Sequence, residues 1–299
     1  MIRRTAAALS LLLLAACGSQ ETTAAPATTP TPLPKPTASA SAGSPTPTAT
    51  ATLPKPRNSG RPVLGVAPPP WLGTRVLKKR ADGYGEMPAT PDELVQRRFT
   101  LPDTLPPLPG TGFAARRHLA APASVIARST WAPGCPVARD ELAWIELTFW
   151  GFDSARHTGE LLMNRAVVDD VVSVFRRLYD ARFPIEEMRI TTKPEQTAQP
   201  TGDGNDTGSF NCRATRGATF YSQHAYGLAI DVNPFQNPYS KGDIVLPELA
   251  RSYLDRSWRR PGMITADGPV VKAFSAIGWT WGGTFSSLKD LQHFSQNGR

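Results

Sequence analysis

Trp144-Ile145-Glu146-Leu147-Thr148-Phe149 sets apolar Ile145, Leu147 and Phe149 against Trp144, Glu146 and Thr148, the alternation of a strand with two unlike faces. Gly151-Phe152-Asp153 then turns the chain, and His157 to Met163 reads as a second strand. After Asn164, a good helix cap, the period changes: Val168, Val171, Val172, Phe175, Leu178 and Tyr179 recur about every 3.6 residues through Arg182. Asp169 and Asp170 near its start and Arg176 and Arg177 near its end suit the helix dipole, and Pro184 ends it. The sum is an α+β domain, a small and largely antiparallel sheet with at least one helix packed across it.

Downstream, Ile185 to Thr192 reads as another strand. Residues 193 to about 209 form a loop too long for an idle connection, of the kind that borders sites. Pro269 to Ile277 is a short helix stopped by Gly278. Upstream, the periodic texture begins near Ser129-Thr130-Trp131, so the folded domain is expected over 129–299. Residues 61–128 carry scattered apolar residues among many prolines and read as an extended arm, either packed along the domain or mobile, with one short helix from Pro91 to Arg98 started by Thr90. Residues 18–60 are nearly all Ala, Thr, Pro and Ser and are expected to be a disordered spacer, because such a composition buries too little apolar surface to offset the entropy of ordering it.

Met1-Ile2-Arg3-Arg4 is basic, and Ala6 to Ala16 is an apolar run too short for a permanent span, which together read as an export signal. Leu14-Ala15-Ala16-Cys17 resembles the bacterial lipobox, which implies a signal peptide over 1–17, a lipid on Cys17, and a protein tethered to the outer face of the cell membrane; the alternative is a plain secretory signal with a chance cysteine. The formal net charge of +8 favours anionic surfaces without specificity. No interleaving of basic and aromatic residues points to nucleic acid, and the chain is expected to act as a monomer. Of 3 cysteines, Cys135 and Cys212 are left after Cys17, and an oxidising compartment permits a disulfide between them; separate thiols are the other reading.

Only 4 histidines occur, and two of them stand near carboxylates: Ser222-Gln223-His224-Ala225-Tyr226-Gly227-Leu228-Ala229-Ile230-Asp231 and Asp290-Leu291-Gln292-His293. A hydrolytic zinc site takes three protein ligands from His and carboxylate at about 2.0–2.2 Å and leaves one position for water. His224, Asp231 and His293 supply such a set, and Asp290 is a second carboxylate placed to move the proton of that water. The ordinary alternative for each pair alone is a hydrogen-bonded His and Asp with no metal. His157 is expected to be structural, His118 lies in the arm, and Trp279 and Trp281 are expected in the core or a cleft wall.

Ser222-x-His224-x-x-Gly227-x-Ala229-x-Asp231, followed by Trp281-Gly282-Gly283 and Asp290-x-x-His293, resembles the M15 peptidase family, the D-alanyl-D-alanine carboxypeptidases of the VanY type. The likeness runs from about Ser129 to Phe294 and includes Arg182-Phe183-Pro184-Ile185, Phe210-Asn211-Cys212-Arg213 and Asp231-Val232-Asn233-Pro234. It implies a hedgehog-like α+β fold with one Zn2+ held by His224, Asp231 and His293, with Asp290 as general base and Arg213 stabilising the oxyanion. Ser222 matches a small polar position near the substrate. The activity implied is release of terminal D-alanine from peptidoglycan stem peptides. An L-alanyl-D-glutamate endopeptidase, or a wall-binding module that keeps zinc only for its fold, are the competing readings.

Overall fold

The computed structural model describes residues 65–215 and 218–298. The expected signal peptide, Cys17 and the spacer lie outside the described residues. In chain order the elements are α1 (Asp92–Val95), β1 (Ala115–His118), α2 (Ala123–Arg128), β2 (Leu142–Trp150), β3 (Arg156–Asn164), α3 (Val168–Asp180), β4 (Glu187–Met188), α4 (Lys193–Thr197), β5 (Asp206–Thr207), β6 (Ala229–Asp231), β7 (Tyr239–Lys241), β8 (Ile244–Leu246), α5 (Pro269–Ser275), β9 (Thr280–Trp281), β10 (Lys289–Asp290) and β11 (His293–Ser295), with short 3-10 turns between them. No helix among the described residues is long and apolar enough to cross a membrane.

The architecture is α+β, with strands in several small sheets where one was expected. β1, β2 and β3 form an antiparallel meander in which Ile145 faces Leu161 and Ala143 faces Met163. Its apolar face meets α3, whose Val168, Val171, Val172, Phe175 and Leu178 are buried, and the same core takes in Phe274 of α5, Trp279, Trp281 and Phe294. Asn164 starts the helical region by accepting the Ala166 N–H at 3.0 Å, and a 3-10 turn at Arg165–Val167 precedes α3. Two further antiparallel sheets, in the orders β6-β11-β9 and β10-β7-β8, lie later in the chain and carry the candidate site.

Local departures from the sequence reading have tertiary causes. The strand expected over 185–192 is ordered as a ladder only at Glu187–Met188, parallel to Asp206–Thr207. Its other backbone groups go elsewhere: Ile185 N–H to the Trp150 carbonyl, Glu186 N–H to Asn233 Oδ1, Arg189 N–H to Asp206 Oδ1. The helix expected over 91–98 shortens to Asp92–Val95, and Thr90 leaves the capping role to donate its hydroxyl to the Leu249 carbonyl at 2.6 Å. The long 193–209 loop holds α4, opened by a Thr192 and Glu195 capping box.

The polar face of the meander is covered too. Glu146 accepts from Arg116 Nη1 at 2.9 Å, and Glu160 accepts from Arg128 Nη1 at 2.6 Å and from the Trp144 indole at 2.6 Å. The proline-rich stretch is irregular in backbone for most of its length, yet it supplies β1, α1 and α2 and part of a second core, where Leu77, Leu94 and Phe99 meet Phe235, Leu249 and Tyr253. The described residues accordingly group as one compact unit. A third cluster, with Val125, Ile126, Leu142 and Phe210, adjoins a disulfide between Cys135 and Cys212.

Candidate metal centre and cleft

β6 and β11 pair so that Asp231 stands directly opposite His293. This pairing joins residues 62 apart in sequence, bringing Asp231 Oδ1 to 3.0 Å from His293 Nδ1. His224 arrives from the 3-10 turn Gln223–Tyr226 that leads into β6. Ser222 caps this turn, its hydroxyl accepting the His224 N–H at 3.4 Å. Gly227 ends it at φ 66°, in the left-handed region, and a Cβ there would meet Asn164 N at 2.4 Å. Only glycine satisfies both demands at that position.

His224 Nε2 lies 3.2 Å from His293 Nδ1 and 3.3 Å from Asp231 Oδ1. Two imidazole nitrogens and a carboxylate oxygen this close repel through their lone pairs unless a proton or a cation sits among them. Atoms set tetrahedrally at about 2.0–2.1 Å from one ion are about 3.3 Å apart, so the spacing suits a shared metal. The His224 tautomer agrees: Nδ1 lies 2.6 Å from the Ser209 carbonyl, which can only accept, so Nδ1 carries the proton and Nε2 presents its lone pair to the centre. His224, Asp231 and His293 form a group that can hold a metal ion. Burial opposes ionisation of Asp231, but the two imidazoles outweigh it and hold the carboxyl well below the usual carboxylate range.

Asp290 lies on β10, opposite Tyr239 of β7, and lines the same cleft as the three donors. Burial pushes its carboxyl up to about 6; His293 and the Gln292 amide, 3.3 Å away, act against the rise, and the Asp231 carboxylate adds to it. A cation among the donors would also pull it down. A carboxyl held near neutral pH is suited to taking and returning a proton. Gly282 lets β10 approach, since a Cβ there would stand 2.5 Å from the Asp290 carbonyl oxygen.

The cleft measures about 1850 Å³ and reaches well beyond the donors. Ser222 and Arg213 both line it; Arg213 is exposed and donates through Nη1 to the Ala214 carbonyl at 3.3 Å. His118 and His157 stand apart from the centre, His118 beside Glu146 and stacked on Trp144, His157 between Asp103 and Asp153. Trp279 and Trp281 are buried in the main core, the Trp281 indole donating to the Leu291 carbonyl at 2.8 Å.

Sequence reading missed Ser209, which acts through its backbone carbonyl and so leaves no side-chain signal. It also missed Arg189, which lines the cleft between Glu187, Glu195 and Asp206 at 3.0, 2.7 and 3.9 Å. Burial lowers and these carboxylates raise the Arg189 pKa, with a net rise, so its charge is permanent and locally balanced.

No curated protein and no solved structure matches the chain. Residues 215–296 match the family model described as D-alanyl-D-alanine carboxypeptidase. That segment holds His224, Asp231, Asp290 and His293, while Arg213 stands just before it. The donor triad and Asp290 thus fall within the stretch that is similar to that family.

Proposed function

We propose that this protein is a zinc D,D-carboxypeptidase that releases terminal D-alanine from peptidoglycan stem peptides. The observation that carries the reading is the convergence of His224 Nε2, His293 Nδ1 and Asp231 Oδ1 at tetrahedral-ligand spacing, beside Asp290, within the matched segment. His224, Asp231 and His293 would hold the zinc in a hedgehog-like fold. When bound, the metal supplies a Lewis acid for the scissile carbonyl and makes a water acidic enough to attack near neutral pH. Asp290 accepts the proton from that water and delivers it to the departing amine of D-alanine, so the carboxylate is regenerated at the end of the cycle. The Arg213 guanidinium, on the cleft wall, is the group we assign to the negative charge developing on the carbonyl oxygen. Ser222 holds the His224 turn and offers a hydroxyl to the bound peptide.

The leader supports the place of action. Cleavage before Cys17 and lipidation of its thiol would tether the protein to the outer face of the membrane, with residues 18–60 as spacer toward the wall.

Purified protein should contain one zinc and release D-alanine from a stem pentapeptide, with activity lost to chelators and restored by zinc. Asp290→Ala should keep the zinc and the thermal transition while turnover falls by about 10²–10⁴-fold. Cleavage inside the peptide, read by mass spectrometry, would move the reading to an endopeptidase. An Asp290→Ala variant of undiminished activity would sink the assigned base.

A further inference from the structure

The cleft is not built by the matched segment alone. Residues 78–86 of the proline-rich arm form a tight hairpin: Arg80 N–H donates to the Tyr84 carbonyl at 2.7 Å, Glu86 N–H to Lys78 at 2.8 Å, and Lys79 bridges to Gly85. Three contacts fix it in place. Leu77 N–H donates to the Pro200 carbonyl at 2.8 Å, Gly85 N–H to Glu248 Oε1 at 3.1 Å, and Arg80 Nη2 lies 2.8 Å from Asp243 Oδ2. Asp243 sits in the turn between β7 and β8, so the arm hairpin is clipped to the sheet that carries Asp290. Lys79 and Tyr84 from the hairpin and Lys241 from β7 all line the cleft.

The two lysines of this region differ from Arg189 in what surrounds them. Arg189 is offset by the carboxylates around it, whereas Lys79 and Lys241 are exposed and make no ion pair among the described residues. Two ammonium groups on flexible stems attract an anion without demanding one geometry. The cleft volume of about 1850 Å³ also exceeds the roughly 300–1,000 Å³ of pockets that enclose a small molecule, leaving room for more than a terminal dipeptide.

We propose that the arm hairpin builds a remote subsite, in which Lys79 and Lys241 bind free carboxylates on a part of the peptide substrate away from the scissile bond. The enzyme therefore prefers a longer acidic peptide to a neutral one of equal length. This rests on the peptidase reading above.

The test uses the full chain and two peptides with the same C-terminal residues, one extended by glutamates and the other by glutamines. Wild type is compared with Lys79→Ala/Lys241→Ala and with Lys79→Glu/Lys241→Glu, exposed changes that leave the core untouched. For the glutamate peptide, KM should rise about three- to tenfold in the alanine pair and more in the glutamate pair, with kcat within about twofold and the effect shrinking in high salt. The glutamine peptide should be unaffected. Equal kcat/KM for both peptides in wild type, or an equal loss on both in the variants, overturns the subsite. Fluorescence anisotropy of the labelled glutamate peptide separates this idea from the peptidase reading. Lysine-dependent binding without cleavage would keep the subsite and discard the peptidase, and lysine-independent binding discards the subsite whether or not the peptide is cleaved.

Discussion

A Cβ on Gly282 would stand 2.5 Å from the Asp290 carbonyl oxygen and 2.8 Å from its Cβ, closer than unbonded atoms approach. The colliding atoms belong to strand β10 and cannot swing aside as a long side chain would. Gly282→Ala therefore has to move Asp290, while His224 and Asp231 lie on other segments and His293, three residues on, is held by its pairing with Asp231. The expected outcome is full zinc content with kcat reduced about 10- to 100-fold, the scale of loss produced by displacing a catalytic group by an ångström. Metal analysis and steady-state kinetics on the same preparation check it, and unchanged kcat would mean that the position of Asp290 does not limit the reaction. Trp281-Gly282-Gly283 was visible in the sequence only as part of a resemblance. The close approach that makes glycine necessary is a property of the packed strands.

At the scale of elements, β3 anchors the arm along its edge. His157 lies 2.8 Å from Asp103 and 3.1 Å from Asp153, Asp103 Oδ2 accepts the Thr158 N–H at 2.8 Å, and the Leu108 N–H donates to Thr158 Oγ1 at 3.0 Å. The hydrogen bond that His157 donates to Asp103 raises its pKa, burial opposes the rise, and Asp153 assists it. A raised folded pKa means the protonated form is the one that folding favours. Its contribution is whole below the unfolded histidine value of about 6.5 and is lost as pH rises through the higher folded value. Amides of residues 101–108 should exchange faster above that pH than below it once the intrinsic rate is removed, and His157→Gln should flatten the difference. An exchange profile that is the same in the variant would show that the ion pair does not hold the arm. The sequence leads one to expect a structural His157, but its partner Asp103 lies 54 residues away and no local pattern announces it.

Across the whole molecule, Arg97 ties the arm to the part of the chain that carries the candidate site. It is 1% exposed and donates through Nε to Glu186 Oε2 at 2.7 Å and through Nη1 to the Asp203 carbonyl at 2.7 Å, with its guanidinium over Phe235. Glu186 is itself fully buried; burial pushes its carboxyl up, and Arg97 and Asn205 pull it back. Arg97→Met leaves that carboxylate without its counter-charge, and the expected loss is about 3–5 kcal/mol of unfolding free energy. Adding Glu186→Gln should recover part of it, because the uncompensated charge is gone. Denaturant unfolding of the two variants checks this, and an Arg97→Met protein as stable as wild type would show that the arm is not part of the cooperative unit.

From the sequence alone came the elements whose causes are local: the β2 and β3 hairpin, the α3 helix behind Asn164, the stops at Pro184 and Gly278, and the residue types able to ligate a metal. Periodicity, caps and side-chain chemistry are written within a few residues of where they act, so they can be read there. Tertiary structure decided that Asp231 and His293 face one another across β6 and β11, that Ser209 orients His224, that the meander is covered on both faces, and that the proline-rich arm closes one side of the cleft. Each of these is a contact between segments far apart in the chain, bringing together groups whose pairing depends on sheet register and on where buried charges find partners.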